Sequence, residues 1–167
     1  FFSFYRVRVK VNKGLRLEVS FFMSIYIGMM SGTSLDGVDA VAVRFESNTG
    51  LEVLGSKSMN LSEELRTLLL SLCFSGPDEI NRSQIAGNQL AQIYAETCHA
   101  LLKDLDLSAS HIIAIGAHGQ TVRHNPQNGA TTQLINGALL AELTQIDTII
   151  DFRNRDIAAG GQGAPLV

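Results

Sequence analysis

The sequence carries little surplus charge of either sign. Its 167 residues hold 13 Lys and Arg against 16 Asp and Glu, a formal net charge of −3. That gives no electrostatic reason to expect a nucleic acid or an anionic membrane as a partner. Cysteine is scarce: Cys73 and Cys98 stand far apart, each in an apolar helical pattern, and read as two buried thiols in a reducing compartment. No apolar run approaches the length of a membrane span. The first residues lack an apolar core followed by a small-residue cleavage site, so the cytoplasm is the expected location. No G-K-[ST] occurs near the glycine-rich turn described below, which excludes a Walker-type phosphate loop there. His99, His111, His118 and His124 include no pair at metal-ligand spacing, so no zinc site is expected. Internal repeats and low-complexity tracts are also missing. What remains, 46% apolar and 17% charged residues, is the composition of a globular chain long enough to bury a core.

The chain is organised around Ile25–Asp39, I-Y-I-G-M-M-S-G-T-S-L-D-G-V-D. A short apolar run, Ile25 to Ile27, enters a turn of small residues, and a second run, Val38 to Phe45, leaves it. Two β-prone runs joined in this way predict a hairpin whose loop can approach a ligand closely. Gly32 and Gly37 are expected to adopt backbone angles that a Cβ would forbid. The loop offers backbone N–H groups, the hydroxyls of Ser31, Thr33 and Ser34, and the carboxylates of Asp36 and Asp39. Amides and hydroxyls suit phosphate oxygens, and carboxylates suit a hydrated Mg2+ bridging those oxygens. Composition alone leaves an ordinary polar turn open as the alternative.

The order of the remaining patterns predicts a layered α/β fold. Strands are expected over 24–29, 38–45 and 51–58, close enough in sequence to form an antiparallel meander. Ser62 can cap a helix with Glu63 and Glu64 in its first turn and Leu65, Leu68, Leu69 and Leu72 along one face. Ser75-Gly76-Pro77 ends it, and a longer helix is expected from about Asp78 to Asp106. Ile112–Ala117 reads as a buried central strand. A strand over 131–135, a helix over 138–143 and a buried strand over 148–152 follow. Ahead of all this, residues 1–22 carry five basic residues (Arg6, Arg8, Lys10, Lys13, Arg16) against the single acid Glu18. Val7, Val9 and Val11, then Leu15, Leu17 and Val19, alternate about Asn12-Lys13-Gly14 and could make a hairpin.

Three strings share one resemblance. M-S-G-T-S-L-D-G-V-D resembles the phosphate-binding hairpin of the anhydro-N-acetylmuramic acid kinases, which have the sugar kinase/actin/Hsp70-type ATPase fold. Gly116–Arg123 (G-A-H-G-Q-T-V-R) and Asp151–Pro165 (D-F-R-N-R-D-I-A-A-G-G-Q-G-A-P) are similar to later segments of the same family. The resemblance covers nearly all of residues 23–167. It implies the ribonuclease-H-like lobe of the actin/sugar-kinase fold, a mixed sheet with packed helices, incomplete at its C-terminal end. Residues 1–22 lie outside it; Met23 is the expected natural start, with the preceding residues coming from an over-extended reading frame.

The resemblance further implies ATP and Mg2+ as cofactors and an anhydro amino sugar as substrate, 1,6-anhydro-N-acetylmuramic acid, phosphorylated on its 6-oxygen as water opens the anhydro ring. Nucleotide contact falls on Gly32, Thr33, Ser34, Leu35, Asp36, Gly37, Val38 and Asp39, with Asp36 holding the metal through water. The loop expected after the central strand supplies His118, Gln120 and Thr121 to the sugar, with Arg123 beside them. The two arginines after the last strand could be a surface salt-bridge cluster, but guanidinium also forks onto a carboxylate. The family's substrate carries a lactyl carboxylate, so Arg153, Arg155 and Asp156 are assigned to the substrate side. The family's catalytic base and second lobe are expected beyond Val167, so no residue here is assigned as the base. The full-length family enzyme could pair as a homodimer. The polypeptide alone is expected to show no kinase activity and at best weak ATP affinity. Another sugar or acid kinase of the same fold, or a non-enzymatic remnant, are the other readings.

Overall fold

The computed structural model describes residues 24–46 and 50–164; the hairpin expected within 1–22 lies outside the described residues. The first three strands form the expected meander: β1 (Ser24–Ser31) pairs antiparallel with β2 (Gly37–Glu46), and β2 with β3 (Gly50–Asn60). The central strand β4 (Ile112–Ala117) runs parallel to β1, and the short β7 (Thr148–Ile149) parallel to β4. The resulting sheet has the order β3-β2-β1-β4-β7, a mixed sheet in which three antiparallel strands continue into two parallel ones. This is the layered α/β arrangement read from the pattern.

One face of the sheet is covered by helices. Along β1 the alternation puts Ile25, Ile27, Met29 and Ser31 on the buried face and Tyr26, Gly28 and Met30 on the other. Helix α1 (Glu63–Leu72) starts at Ser62, whose hydroxyl accepts a hydrogen bond from the Leu65 amide at 3.2 Å, with Glu63 and Glu64 in the favourable first turn. Helix α2 (Glu79–Asp104) is long and lays Leu90, Tyr94, Cys98 and Leu101, all fully buried, against the sheet. Cys98 is the buried thiol expected. Cys73, at the end of α1, departs from expectation and is only half-buried.

The opposite face of the sheet is not covered by α2, and along β1 to β3 it is open among the described residues. Tyr26 and Phe45 meet there edge to face with ring centroids 5.5 Å apart, and Phe45, Leu51 and Val53 are exposed.

Two further differences from the pattern have local causes. The stretch after β4 is not an open loop: β5 (Gln120–Asn125) pairs antiparallel with β6 (Ala130–Leu134) as a separate two-stranded sheet. Arg123 docks that ribbon on the helices, donating to the Leu72 carbonyl and pairing with Glu79 at 2.6 Å. The strand expected over 148–152 lasts for two residues. Asp151 then turns the chain at φ 65° and accepts from Asn154 Nδ2 at 2.7 Å, so Phe152 opens helix α4 (Phe152–Ala158). Helix α3 (Gly137–Thr144) lies between, capped by the Asn136 side chain, which accepts from the Leu139 amide at 3.0 Å.

Candidate active site

The turn joining β1 to β2 is shaped by a leucine. Leu35 adopts φ +57° yet is only 2% exposed, and its amide donates to the Gly32 carbonyl at 3.1 Å. A left-handed non-glycine residue costs energy, which the burial of its side chain offsets. With Leu35 as the inward peg, Thr33, Ser34 and Asp36 are left exposed, and their side chains make no hydrogen bond among the described residues. The far end of the turn is fastened where the Leu61 amide donates to the Asp36 carbonyl at 3.1 Å.

The glycines act differently from what the sequence suggested. Neither Gly32 nor Gly37 has a positive φ. Gly37 is needed because a Cβ there would stand 2.5 Å from the Met59 carbonyl oxygen of β3, whereas a Cβ on Gly32 would meet only Ser34 Oγ, at 3.6 Å. One glycine lets two strands approach, and the other is free of that demand.

His118 leaves the end of β4 beside this turn, its amide donating to the Met29 carbonyl at 2.9 Å. Its Nδ1 lies 2.7 Å from the Gly119 carbonyl, and its Nε2 accepts from Arg153 Nε at 2.7 Å. The two contacts are mutually consistent for one tautomer: a neutral ring with the proton on Nδ1. Burial holds the His118 pKa below its ordinary value against the opposing pull of the Gly119 carbonyl, and the Arg153 charge depresses it further. The ring also faces Phe152, with centroids 6.0 Å apart.

These groups border a concave space of about 660 Å³ on the face of the sheet opposite α2, whose walls include Met30, Asp39, Ser58 and His118 together with Phe152 and Arg153 from the start of α4. Its floor contains Gly28 and Gly116, in register across β1 and β4, and a Cβ on either would meet nothing within 4 Å. The floor is open because two neighbouring strands both lack side chains at that level. Asp39 accepts a hydrogen bond from the Ser58 hydroxyl, so its carboxylate is already engaged.

Of the residues singled out in the sequence, Asp39, His118 and Arg153 come together at this space, and Gly32 to Asp36 form the adjoining turn. Gln120 is 2% exposed and turned inward, its Oε1 accepting from the Ser31 hydroxyl at 2.7 Å. Thr121 stands on β5 with its hydroxyl accepting from Gln133 Nε2 at 3.2 Å. Asp156 is wrapped by the glycine-rich segment: Gly163 N donates to its Oδ2 at 2.7 Å, and a Cβ on Gly161 would overlap its carboxylate. Arg155 is exposed and does not line the cavity. Sequence reasoning missed Phe152, Ser58 and the Gly28–Gly116 pair. A glycine inside an apolar strand was a usable signal for the last; the Asp39–Ser58 contact depends on the β2–β3 register and left none.

Among the described residues no three His, Cys, Asp or Glu side chains gather as metal ligands. A cation here would therefore rest on the one unengaged carboxylate of the turn, Asp36, together with ligand oxygens. That is how Mg2+ is commonly held, since it keeps most of its waters.

Comparison with known proteins agrees with the three strings. The family model described as "Anhydro-N-acetylmuramic acid kinase" matches residues 24–167. An anhydro-N-acetylmuramic acid kinase of Burkholderia pseudomallei (strain 1710b) is 56% identical over 143 residues, covering 86% of this chain and 37% of the relative. One from Burkholderia mallei (strain ATCC 23344) is 55% identical over 143 residues with the same coverage, 86% and 37%. One from Burkholderia ambifaria (strain ATCC BAA-244 / DSM 16087 / CCUG 44356 / LMG 19182 / AMMD) is 56% identical over 142 residues, with 85% and 37% covered. The chain thus spans 37% of the length of these curated relatives.

Proposed function

The chain belongs to the anhydro-N-acetylmuramic acid kinase family, within the sugar kinase/actin-like ATPase fold, and from that premise we propose that it supplies the nucleotide hairpin and part of the sugar site of such a kinase. The reaction joins 1,6-anhydro-N-acetylmuramic acid, water and ATP to give N-acetylmuramic acid 6-phosphate and ADP. Residues 23–167 are one lobe of a two-lobed enzyme on this reading, with residues 1–22 outside it.

The observation that carries the reading is the Gly32–Asp36 turn: pegged inward by Leu35, it holds Thr33, Ser34 and Asp36 outward with their side chains unengaged. Backbone amides and hydroxyls of the turn would bind phosphate oxygens. Asp36 would hold Mg2+ through water, and the ion would supply charge neutralisation at the transferring phosphoryl group. Arg153, oriented by His118, would meet the lactyl carboxylate of the sugar. Thr121, Arg155 and Asp156 complete the assigned substrate side, while Gln120, buried against Ser31, would support it from within and not by contact with the sugar.

Positioned this way, the chain binds and orients, and a water-poor site needs a second wall. The polypeptide alone is therefore expected not to turn over the anhydro sugar, and the 37% coverage of the relatives favours this second, non-enzymatic reading for the isolated chain. The test is a coupled ADP assay with Mg2+, ATP and 1,6-anhydro-N-acetylmuramic acid on two samples, this chain and the intact gene product containing it. Turnover by the second and none by the first is expected. An intact product that phosphorylates a different sugar or acid and leaves the anhydro sugar untouched overturns the substrate assignment.

A further inference from the structure

Behind the Gly32–Asp36 turn lies a buried polar cluster that neither the nucleotide nor the sugar would touch. Ser31, the last residue of β1, is 1% exposed; its hydroxyl donates to Gln120 Oε1 at 2.7 Å and approaches the Gly119 carbonyl at 3.4 Å. Gln120 is 2% exposed and donates from Nε2 to the Thr121 carbonyl at 3.3 Å. The Gly119 carbonyl is also the partner of His118 Nδ1. Beneath them, Tyr94 rises from α2, fully buried, with its hydroxyl facing Ser31 and Gly119 but completing no hydrogen bond of normal geometry.

An unbonded buried hydroxyl is costly, and a phenylalanine would fill the same space without the penalty. The cluster also has a specific address. Ser31 is the residue from which the turn springs, and Gly119–Gln120 is the step on from His118. Gly119 itself is locked, at φ +72° with its Cα packed so closely on the Leu134 carbonyl that a Cβ would lie 2.6 Å from its oxygen. A displacement of the turn thus meets a fixed point on the His118 side through two short side chains.

We propose that Ser31, Gln120 and Tyr94 are positioning residues: a buried hydroxyl–amide node that sets the Gly32–Asp36 turn against the His118–Arg153 pair, so that a change at one is felt at the other. The idea rests on the reading of these two places as nucleotide and sugar sites, but the coupling between them can be measured without either ligand. Coupling energies between contacting residues are what a double-mutant comparison isolates.

The experiment uses the isotope-labelled chain. Arg153→Met removes the bond to His118 Nε2 at the far end, and the amide signals of Gly32, Thr33 and Ser34 report at the near end. The shifts caused by Arg153→Met should shrink at least about threefold when the same change is made in a Gln120→Met background, since direct through-space effects would survive that swap. Gln120→Glu, which keeps an acceptor for Ser31, should retain the shifts. Tyr94→Phe is the second variant: it removes only the hydroxyl that faces Ser31 and Gly119, so it should fold and keep or raise the melting temperature, yet weaken the transmitted shift by deleting that polar contact. Equal shifts in the parent, Gln120→Met and Tyr94→Phe backgrounds, or no shift in the parent, overturn the proposal. Adding Mg2+ and ATP to the parent chain is a separate arm: silence at Gly32–Asp36 there counts against the nucleotide reading and leaves the node decided by the ligand-free shifts.

Discussion

Arg153 donates from Nε to Nε2 of His118 at 2.7 Å, and the contact settles the charge state of the pair: the guanidinium is the cation, the imidazole the neutral acceptor. A histidine in this role is a positioner for arginine. Using Nε on the histidine leaves the two terminal nitrogens of Arg153, which borders the cavity, to fork onto a planar anion.

The first prediction concerns acid. Burial, and then the Arg153 charge, hold the His118 pKa below the ordinary value near about 6.5. Protonation would place a proton on the nitrogen that accepts from Arg153, so the folded state resists it while the unfolded chain does not. The sign follows from linkage: the unfolded state binds more protons, so stability falls as pH drops through the unfolded value to the folded one, and is level below it. Imidazole signals followed against pH should show a midpoint below about 6.5. In Arg153→Met the midpoint should rise, since the cation is gone and only burial remains. A parent midpoint above the unfolded value would contradict the geometry.

The second prediction separates the two glycines of the turn. Gly37→Ala would drive a Cβ to 2.5 Å from the Met59 carbonyl oxygen, and backbone on an adjacent strand yields only by opening the β2–β3 ladder. A loss of about 1–3 kcal/mol is expected, in line with overpacking elsewhere. Gly32→Ala meets one side-chain oxygen at 3.6 Å and should change stability by no more than about 0.5 kcal/mol. Urea unfolding of both variants measures the contrast.

Much of this was legible before any coordinates. Period-two runs at 24–29 and 38–45, and the leucine spacing from Leu65 to Leu72, read true because each element buries one face. Ile112–Ala117 read true because it is buried between neighbours. The turn was recognisable from its string, though its mechanics were misassigned: Leu35 takes the left-handed angle, and a leucine carries no signal for that. Phe152 continued an apolar run and looked like strand, but Asp151 at φ 65° interrupts it, and such a turn is set by its contact with Asn154. The inward aim of Gln120 was invisible because it depends on Ser31, eighty-nine positions away.

A third prediction tests Leu35 as the peg of the turn. Its side chain is buried at 2% exposure, so Leu35→Ala should cost about 2–5 kcal/mol, less whatever collapse the site allows. Leu35→Gly relieves the strained angle by about 1 kcal/mol but loses the same burial, so both variants should be destabilised, with glycine no worse than expected from burial alone. If Leu35→Ala unfolds in urea like the parent, the turn is not held by this side chain.

The fourth prediction concerns Asp36. It is exposed, and its side chain makes no hydrogen bond among the described residues, so Asp36→Asn should leave stability within about 0.5 kcal/mol of the parent. Charge is what the substitution removes. In the intact gene product phosphoryl transfer should therefore be abolished, with unfolding curves superimposed. Near-normal turnover in that variant would take the metal role away from Asp36.

The last prediction reads the sheet–helix interface through its thiols. Cys98 on α2 is fully buried, and burial pushes its thiol up to about 11. At pH 8 about one molecule in a thousand would then carry the reactive thiolate, even before access is considered. Cys73 is half-buried near the end of α1, where its Sγ donates weakly to the Leu69 carbonyl at 3.6 Å. An alkylating reagent applied to the native chain should label Cys73 first and reach Cys98 only as fast as the α2 face opens. Adding urea should therefore raise the Cys98 rate in step with unfolding while changing the Cys73 rate far less. Peptide mass mapping of a labelling time course distinguishes the two sites. Equal rates for both thiols in the absence of denaturant would mean that α2 does not pack on the sheet as described, and the support for β1 and its turn would fall with it.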